Sequence, residues 1–299
     1  MASQQNHSFL SPLRYPGGKG PLANFVKLVV AHNGLSDGDY VEVFAGGASV
    51  AWALLFEEYV RHVHLNDLDV SVIAFWRSVL EDTEGLCRLI RDTPVTMEQW
   101  HLQRAVQTNP EGHSRLEVGF STFFLNRTNR SGILKGGVIG GKNQAGPWKM
   151  DARYNKVDLI QRIQRIARYA GRIHIYNQDA AHFIKTVLPR LPDATLVYLD
   201  PPYFTKGQGL YENHYSARDH RAIADLVLNE VRQPWIVSYD AAAEILSLYE
   251  GHPRILYNIV YSAQAPYQGC EVLFCRRDLA VPQVATPLGL KRPAYSRPA

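Results

Sequence analysis

The residues best suited to chemistry in this chain are Asp200, Pro201, Pro202 and Tyr203, which close the apolar run in LVYLDPPYFTKG. A residue before proline is pushed toward extended backbone, so Asp200 is held out of a helix. Each proline fixes its own φ and offers no N–H. The turn therefore presents acceptors, the Asp200 carboxylate and the Pro201 carbonyl, beside an aromatic ring. That set suits a flat, donor-rich group such as the exocyclic amine of a nucleobase. The amine is a poor nucleophile because its lone pair is conjugated into the ring. Two acceptors gripping its hydrogens favour a pyramidal nitrogen and stabilise the positive charge that develops on attack. Tyr203 is placed to stack on the base. A bare DPP would read as a rigid strand-ending turn; the tyrosine and a loop far upstream make the pattern more specific.

That loop is EVFAGGAS at 42–49. Small residues between a strand and a helix let the backbone approach a ligand, and the helix N-terminus favours an electronegative group. Asp67 ends the next strand about twenty residues on, where a carboxylate can accept from ribose hydroxyls. No GxxxxGK[ST] is present, so a nucleoside-containing cofactor without a triphosphate cradle fits. Residues 126–149 hold six glycines, five Lys/Arg and no acid. A loop or hairpin of that composition suits phosphate contacts through Arg127, Arg130, Lys135, Lys142 and Lys149. Arg127 or Arg130 could instead read a guanine edge, and Asn126 or Asn129 an adenine; the alternatives stay open. Trp148 either stacks or packs at the loop base. The histidines show no metal spacing, and no metal is expected.

The elements that must position these groups follow from periodicity. YVEVF, HVHL, RIHIYNQD, ATLVYL and WIVSY alternate with helical stretches, and ILYNIVY and EVLFC can pair antiparallel. Strands alternating with helices call for a mostly parallel sheet covered on both faces. Helices are expected near 50–59, 70–82, 96–107, 114–125, 156–169, 180–188, 217–230 and 241–249. The helical block breaks the alternation and reads as an inserted lobe. Residues 1–12 read as a loose leader, and 279–299, with four prolines, as a disordered tail. The 299 residues can bury one sizeable core, or one core with a smaller lobe. The net charge of +4 hints only weakly at a polyanionic partner. Three cysteines without a CxxC read as reduced thiols of a cytosol-like compartment. No signal peptide and no membrane-spanning run is evident.

Taken in order, several segments resemble the Dam-type DNA adenine methyltransferase family, which uses S-adenosylmethionine. LRYPGGKG at 13–20 is similar to its N-terminal cofactor segment and VEVFAGGAS to its methionine-side loop. LNDLD is similar to the ribose-binding segment, FLNRTNRSGIL to the start of the DNA-reading hairpin, YNQDAAHF to the adenine-side segment and DPPY to the catalytic loop. The resemblance spans roughly residues 10–277. It implies a class I, Rossmann-like, doubly wound and mostly parallel seven-stranded α/β sheet carrying an inserted helical recognition lobe. The expected boundaries are 10–70 and 155–278 for the cofactor-binding catalytic domain and 71–154 for the lobe. It implies cofactor contacts from Tyr15, Lys19, Phe44, Ala45, Gly46, Gly47, Ser49, Asp67, Asp179 and Asp200, with Arg14 added to the DNA-binding set. Val43 stands where the family often has Pro, and Ser131-Gly132 where it often has Asn-Gly, so no target sequence carries over from a relative.

The expected function is methyl transfer from S-adenosylmethionine, leaving S-adenosylhomocysteine, to adenine N6 in double-stranded DNA. The base would be flipped out of the duplex. The protein is expected to act as a monomer in the cytoplasm, at the nucleoid or from a phage genome. The same chemistry on RNA adenine or cytosine N4 is the alternative within the class. A catalytically inactive DNA-binding protein is the alternative outside it.

Overall fold

The computed structural model describes residues 10–15, 17–205, 215–261 and 267–293. The sheet is built from β1 (Asp39–Glu42), β2 (His62–Asn66), β3 (Ile173–Tyr176), β4 (Thr195–Leu199), β5 (Trp235–Asp240), β6 (Arg254–Tyr261) and β7 (Tyr267–Cys275). Its order is β3-β2-β1-β4-β5-β7-β6, parallel except for β7. Strand order reverses direction between β1 and β4, and in open α/β sheets that switch point is where ligands bind, beyond the carboxyl ends of the strands. The fold is a class I, Rossmann-like one, as expected.

Ten helices are described: α1 (Ala23–His32), α2 (Ser49–Phe56), α3 (Val70–Glu81), α4 (Thr83–Asp92), α5 (Met97–Thr108), α6 (Arg115–Thr128), α7 (Lys156–Ala167), α8 (Ala180–Thr186), α9 (Ala217–Asn229) and α10 (Ala243–Leu248). Two of them, α1 and α4, were not expected. Helix α1 is rich in β-branched residues and has no side-chain N-cap, so little in its local sequence announces it. Helix α4 follows α3 after one residue, Asp82, whose carboxylate accepts from Gly85 N and restarts the helix.

Side chains alternate cleanly between two cores. Val41, Val197, Val237 and Phe274 face α8, α9 and α10 on one side. Tyr40, Leu196, Tyr198, Ile236 and Leu273 face the other side, where they join one continuous core with α1, α2, α3, α6 and α7. The inserted helices therefore pack into the sheet's own core instead of closing a separate one.

Two end segments differ from expectation. Ser11 and Pro12 are buried, and residues 279–293 run as a strap over α1. Leu279, Val281, Val284, Leu288 and Leu290 pack on the core, and the Asn24 Nδ2 donates to Leu290 O at 2.7 Å. Arg292 Nε meets Glu57 at 2.8 Å. Spaced apolar residues, not average composition, decide that the strap is ordered. The remainder of the expected leader, 1–9, and of the tail, 294–299, lies outside the described residues. No helix among the described residues is long and apolar enough to cross a membrane.

Candidate active site

Three strand ends and the N-terminal segment converge on a cavity of about 380 Å³, a size that suits a small-molecule ligand. Its floor is the loop after β1. Gly46 has φ +46°, and a Cβ there would lie 2.9 Å from the Tyr15 ring. Its N–H donates to Asp67 Oδ2 at 2.8 Å, and its carbonyl accepts from Trp76 Nε1 at 2.9 Å. Glycine is thus required twice over, by conformation and by the ring lying on it. We predict that Gly46→Ala costs about 1–3 kcal/mol and displaces Tyr15. Denaturant melts and S-adenosylhomocysteine titration check this; unchanged values in both would mean the ring has room elsewhere.

Asp67 sits where β2 ends, its Oδ1 accepting from Asp69 N at 3.0 Å. Burial pushes its pKa up to about 6, against the pull of the Asp69 and Gly46 amides. Asn66, fully buried beside it, donates to Val43 O and Gln178 O and accepts from Gln178 N, tying three strand ends together. Glu42, at the end of β1, also lines the cavity. Burial drives its pKa to about 8, so it is mostly protonated at neutral pH, though it accepts from Ala51 N at 3.0 Å. Nothing in the sequence marked Glu42 as more than a strand residue.

Asp200 follows β4. Lys19 Nζ donates to its Oδ2 at 2.8 Å, and Ser238 Oγ, from β5, to its Oδ1 at 2.6 Å. Burial pushes the Asp200 pKa up; the Lys19 charge and the Ser238 hydroxyl pull it back. The same Lys19 donates to Gly17 O at 2.9 Å and Tyr203 Oη at 2.8 Å. Tyr203 donates in turn to Glu271, a fully buried acid on β7 that also accepts from Tyr257 Oη at 2.6 Å. Asp240 Oδ1 and Oδ2 accept from Phe204 N and Thr205 N, both at 2.9 Å, anchoring the chain beyond the turn.

These bonds change the reading of Tyr203. Its side chain is only 4% exposed and its hydroxyl is held by Lys19 and Glu271, so in this arrangement it offers little face to a base. Pro202 does line the cavity. So do Tyr15, Lys19, Phe44, Ala45, Gly47 and Ser49. Asp179 does not; it is exposed and caps α8, with Oδ1 accepting from Ala181 N and His182 N. Its neighbours Gln178 and Ala180 line the cavity instead.

The recognition residues divide. Asn126 is buried: Oδ1 accepts from Arg14 N at 2.7 Å, and Nδ2 donates to Arg14 O at 2.7 Å and Gly132 O at 2.9 Å. Asn129 accepts from Trp100 Nε1 and donates to Ile133 O and Leu134 O, again fully buried. Arg127 is 9% exposed, donates to Arg153 O at 2.8 Å and reaches Pro12 O at 3.5 Å. Burial lowers its pKa to about 9. All three hold the lobe together in this arrangement, which leaves Arg127 and Asn129 little surface for the base or phosphate contacts weighed for them, while Asn126 also lines the cavity. The expected loop also starts late, since residues 126–128 end α6. Arg14 is half-buried at the same joint. Arg130, Lys135, Lys142 and Lys149 are exposed, as is Trp148 at 72%, which rules out packing at the loop base. Lys135 also lines the cavity, in addition to the phosphate contact expected of it.

Residues 15–264 match the family of D12 class N6 adenine-specific DNA methyltransferases. The chain belongs to that family. S-adenosylmethionine is accordingly its methyl donor. The cavity fits that molecule on its own evidence. Gly47 adds no side chain to the floor, Asp67 offers carboxylate acceptors, and Gln178 Oε1 is a buried acceptor with no protein partner. No curated protein sequence matches the chain. Solved structures with a similar fold include a candidate RNA methyltransferase from Pyrococcus horikoshii, at 11% identity and TM-score 0.42, covering 92% of this chain and 89% of that one. Another is an S-adenosylmethionine-dependent methyltransferase from Agrobacterium tumefaciens, at 10% identity and TM-score 0.39, with 86% and 60% covered. In this D12 family member, Asp67 supplies a test. Above its pKa of about 6 the carboxylate is ionised and accepts fully from hydroxyl donors. Cofactor affinity should therefore be constant above about pH 7 and fall by about 10-fold toward pH 5. Asp67→Asn should bind weakly with no such slope. Calorimetric titration with S-adenosylhomocysteine decides it; a wild-type affinity flat to pH 5 would remove Asp67 from the cofactor site.

Proposed function

We propose that this methyltransferase modifies the N6 amine of adenine within a specific sequence of double-stranded DNA, acting on a base flipped into the cavity. The observation that carries the reading is Asp200, held at the switch point by Lys19 and Ser238 with its carboxylate beside the cavity. Each oxygen has one protein donor and keeps acceptor capacity for an amine hydrogen. S-adenosylmethionine, when bound, supplies an electrophilic methyl group. The chain's own work is to grip the amine through Asp200 and the Pro201 carbonyl, stabilise the charge that builds on nitrogen, and exclude water. Tyr15, Phe44, Gly46, Gly47, Ser49 and Asp67 are assigned to holding the cofactor, with Gln178 as an acceptor on its adenine side.

The exposed cations Arg130, Lys135, Lys142 and Lys149 are assigned to the duplex backbone, with Trp148 among them. The chain carries the cavity and these cations together, so one copy suffices. Its place of action is wherever its DNA lies, the bacterial cytoplasm in this reading. Single-molecule sequencing of DNA from cells expressing the protein tests this directly. The expected result is N6-methyladenine in one sequence context. Unmodified DNA with labelled RNA, or a modified cytosine, would overturn it.

A further inference from the structure

We infer that Ser238, directed by Tyr198 behind it, is a positioning residue that fixes the orientation of the Asp200 carboxylate during methyl transfer. The inference rests on the reading of Asp200 given above. The pairing of Leu199 with Val237 in β4 and β5 sets Asp200 alongside Ser238. Strand β5 reads WIVSYD, and Ser238 is fully buried among its apolar neighbours. A hydroxyl there needs a partner.

The direction of the chain follows from the donors available. Tyr198 Oη lies 3.0 Å from Ser238 Oγ. Burial holds the Tyr198 phenol well above its usual pKa, so it keeps its proton and donates. Ser238 has one proton to give. It has two acceptors within reach: Asp200 Oδ1 at 2.6 Å and Leu199 O at 3.4 Å. The shorter, charge-assisted bond takes it. Lys19 holds the other carboxylate oxygen at 2.8 Å. A carboxylate bonded at both oxygens cannot turn about its Cβ–Cγ bond without breaking one of them. The amine therefore meets acceptors in a fixed plane. The chain also favours the ionised form. Asp200 is faced by Lys19 from the N-terminal segment, Glu42 from β1, Tyr198 from β4 and Glu271 from β7. Removing the Ser238 donor leaves Lys19 alone against burial and Glu271.

The test is single-turnover transfer from labelled S-adenosylmethionine to unmethylated duplex DNA between pH 5.5 and 9. Wild type, Ser238→Ala, Ser238→Thr, Tyr198→Phe and Asp200→Ala are compared. Ser238→Ala should lose about 10-fold in rate at saturating cofactor, with its acid limb moved up by about half to one pH unit. Its cofactor KM should stay within about twofold, because Ser238 does not line the cavity, and its melting temperature should fall by only a few degrees as the buried Tyr198 hydroxyl loses its acceptor. Ser238→Thr should recover most of the rate, and Tyr198→Phe should move the limb the same way by less. An alanine variant with wild-type rate and limb overturns the inference, as does a threonine variant as impaired as alanine. If the alanine variant fails to fold, an unmoved limb in Tyr198→Phe overturns it alone. An active Asp200→Ala removes the reading of Asp200 and Ser238 with it; an inactive Asp200→Ala beside an unaffected Ser238→Ala removes Ser238 only.

Discussion

Asp200→Ala is expected to lower single-turnover methyl transfer by at least about 10²-fold, the scale for removing one electrostatic partner of a transition state. The fold should survive. Lys19 keeps two of its three acceptors, Gly17 O and Tyr203 Oη, and Tyr203 remains bonded to Glu271. Ser238 can turn back to Leu199 O. Cofactor affinity should change far less than rate, which would place the loss in the transition state. Asparagine is the less clean replacement. Its NH₂ must face either the Lys19 ammonium, donor against donor, or Ser238, which already accepts from Tyr198. A variant that keeps most of its rate in a quenched single-turnover assay would exclude Asp200 from the chemistry.

Asn126→Ala is expected to cost about 3–5 kcal/mol of folding stability, with no DNA present. The side chain satisfies Arg14 N, Arg14 O and Gly132 O at a joint that is buried at Gly132 and half-buried at Arg14. Each group left unpaired costs about 1–3 kcal/mol, and neighbouring losses do not add in full. Gly132 shows how tight the joint is: it has φ +78°, and a Cβ there would lie 2.4 Å from Arg14 O. Because Tyr15 follows directly on Arg14 and Lys19 lies a few residues on in the same segment, cofactor affinity should fall along with stability. A base-reading asparagine would behave in the opposite way, with stability intact and preference relaxed at one position. Chemical denaturation separates the two; an unchanged midpoint would free Asn126 for recognition.

The difference between these two residues shows what the sequence could and could not reveal. Asp200 was legible because its surroundings are local: an apolar strand, two prolines and an aromatic ring define the turn without help from elsewhere. The sheet was legible for a similar reason, since the buried strands ATLVYL and WIVSY stand out against polar loops. The burial of Asn126, Arg127 and Asn129 was not legible because it is not local. Helix α6 is packed among α3, α4 and α5, so even its last turn has no solvent face. Its near-continuous apolar run, VGFSTFFL, was the available signal. Ser238 and Glu271 were missed for a related reason. One polar residue in a strand reads as an exposed alternate position, but β5 and β7 are interior strands with both faces covered. The strap at 279–293 was hidden by its prolines, which hold an extended path as readily as they permit disorder.

That strap also sets an order on biosynthesis. Asn24 bonds to Leu290 and Asn33 to Ala280, so helix α1 is finished by segments 266 and 247 residues further along the chain. The central strand β1 likewise waits for β4, more than 150 residues later. While the ribosome is still at work, the outer side of α1 and one edge of β1 have no lasting partner, and the nascent chain must keep them from other proteins. The methyl-transfer site, built on β1, β4 and β5, cannot assemble before that late closure. Chains interrupted before β4 should therefore carry no methyl-transfer activity.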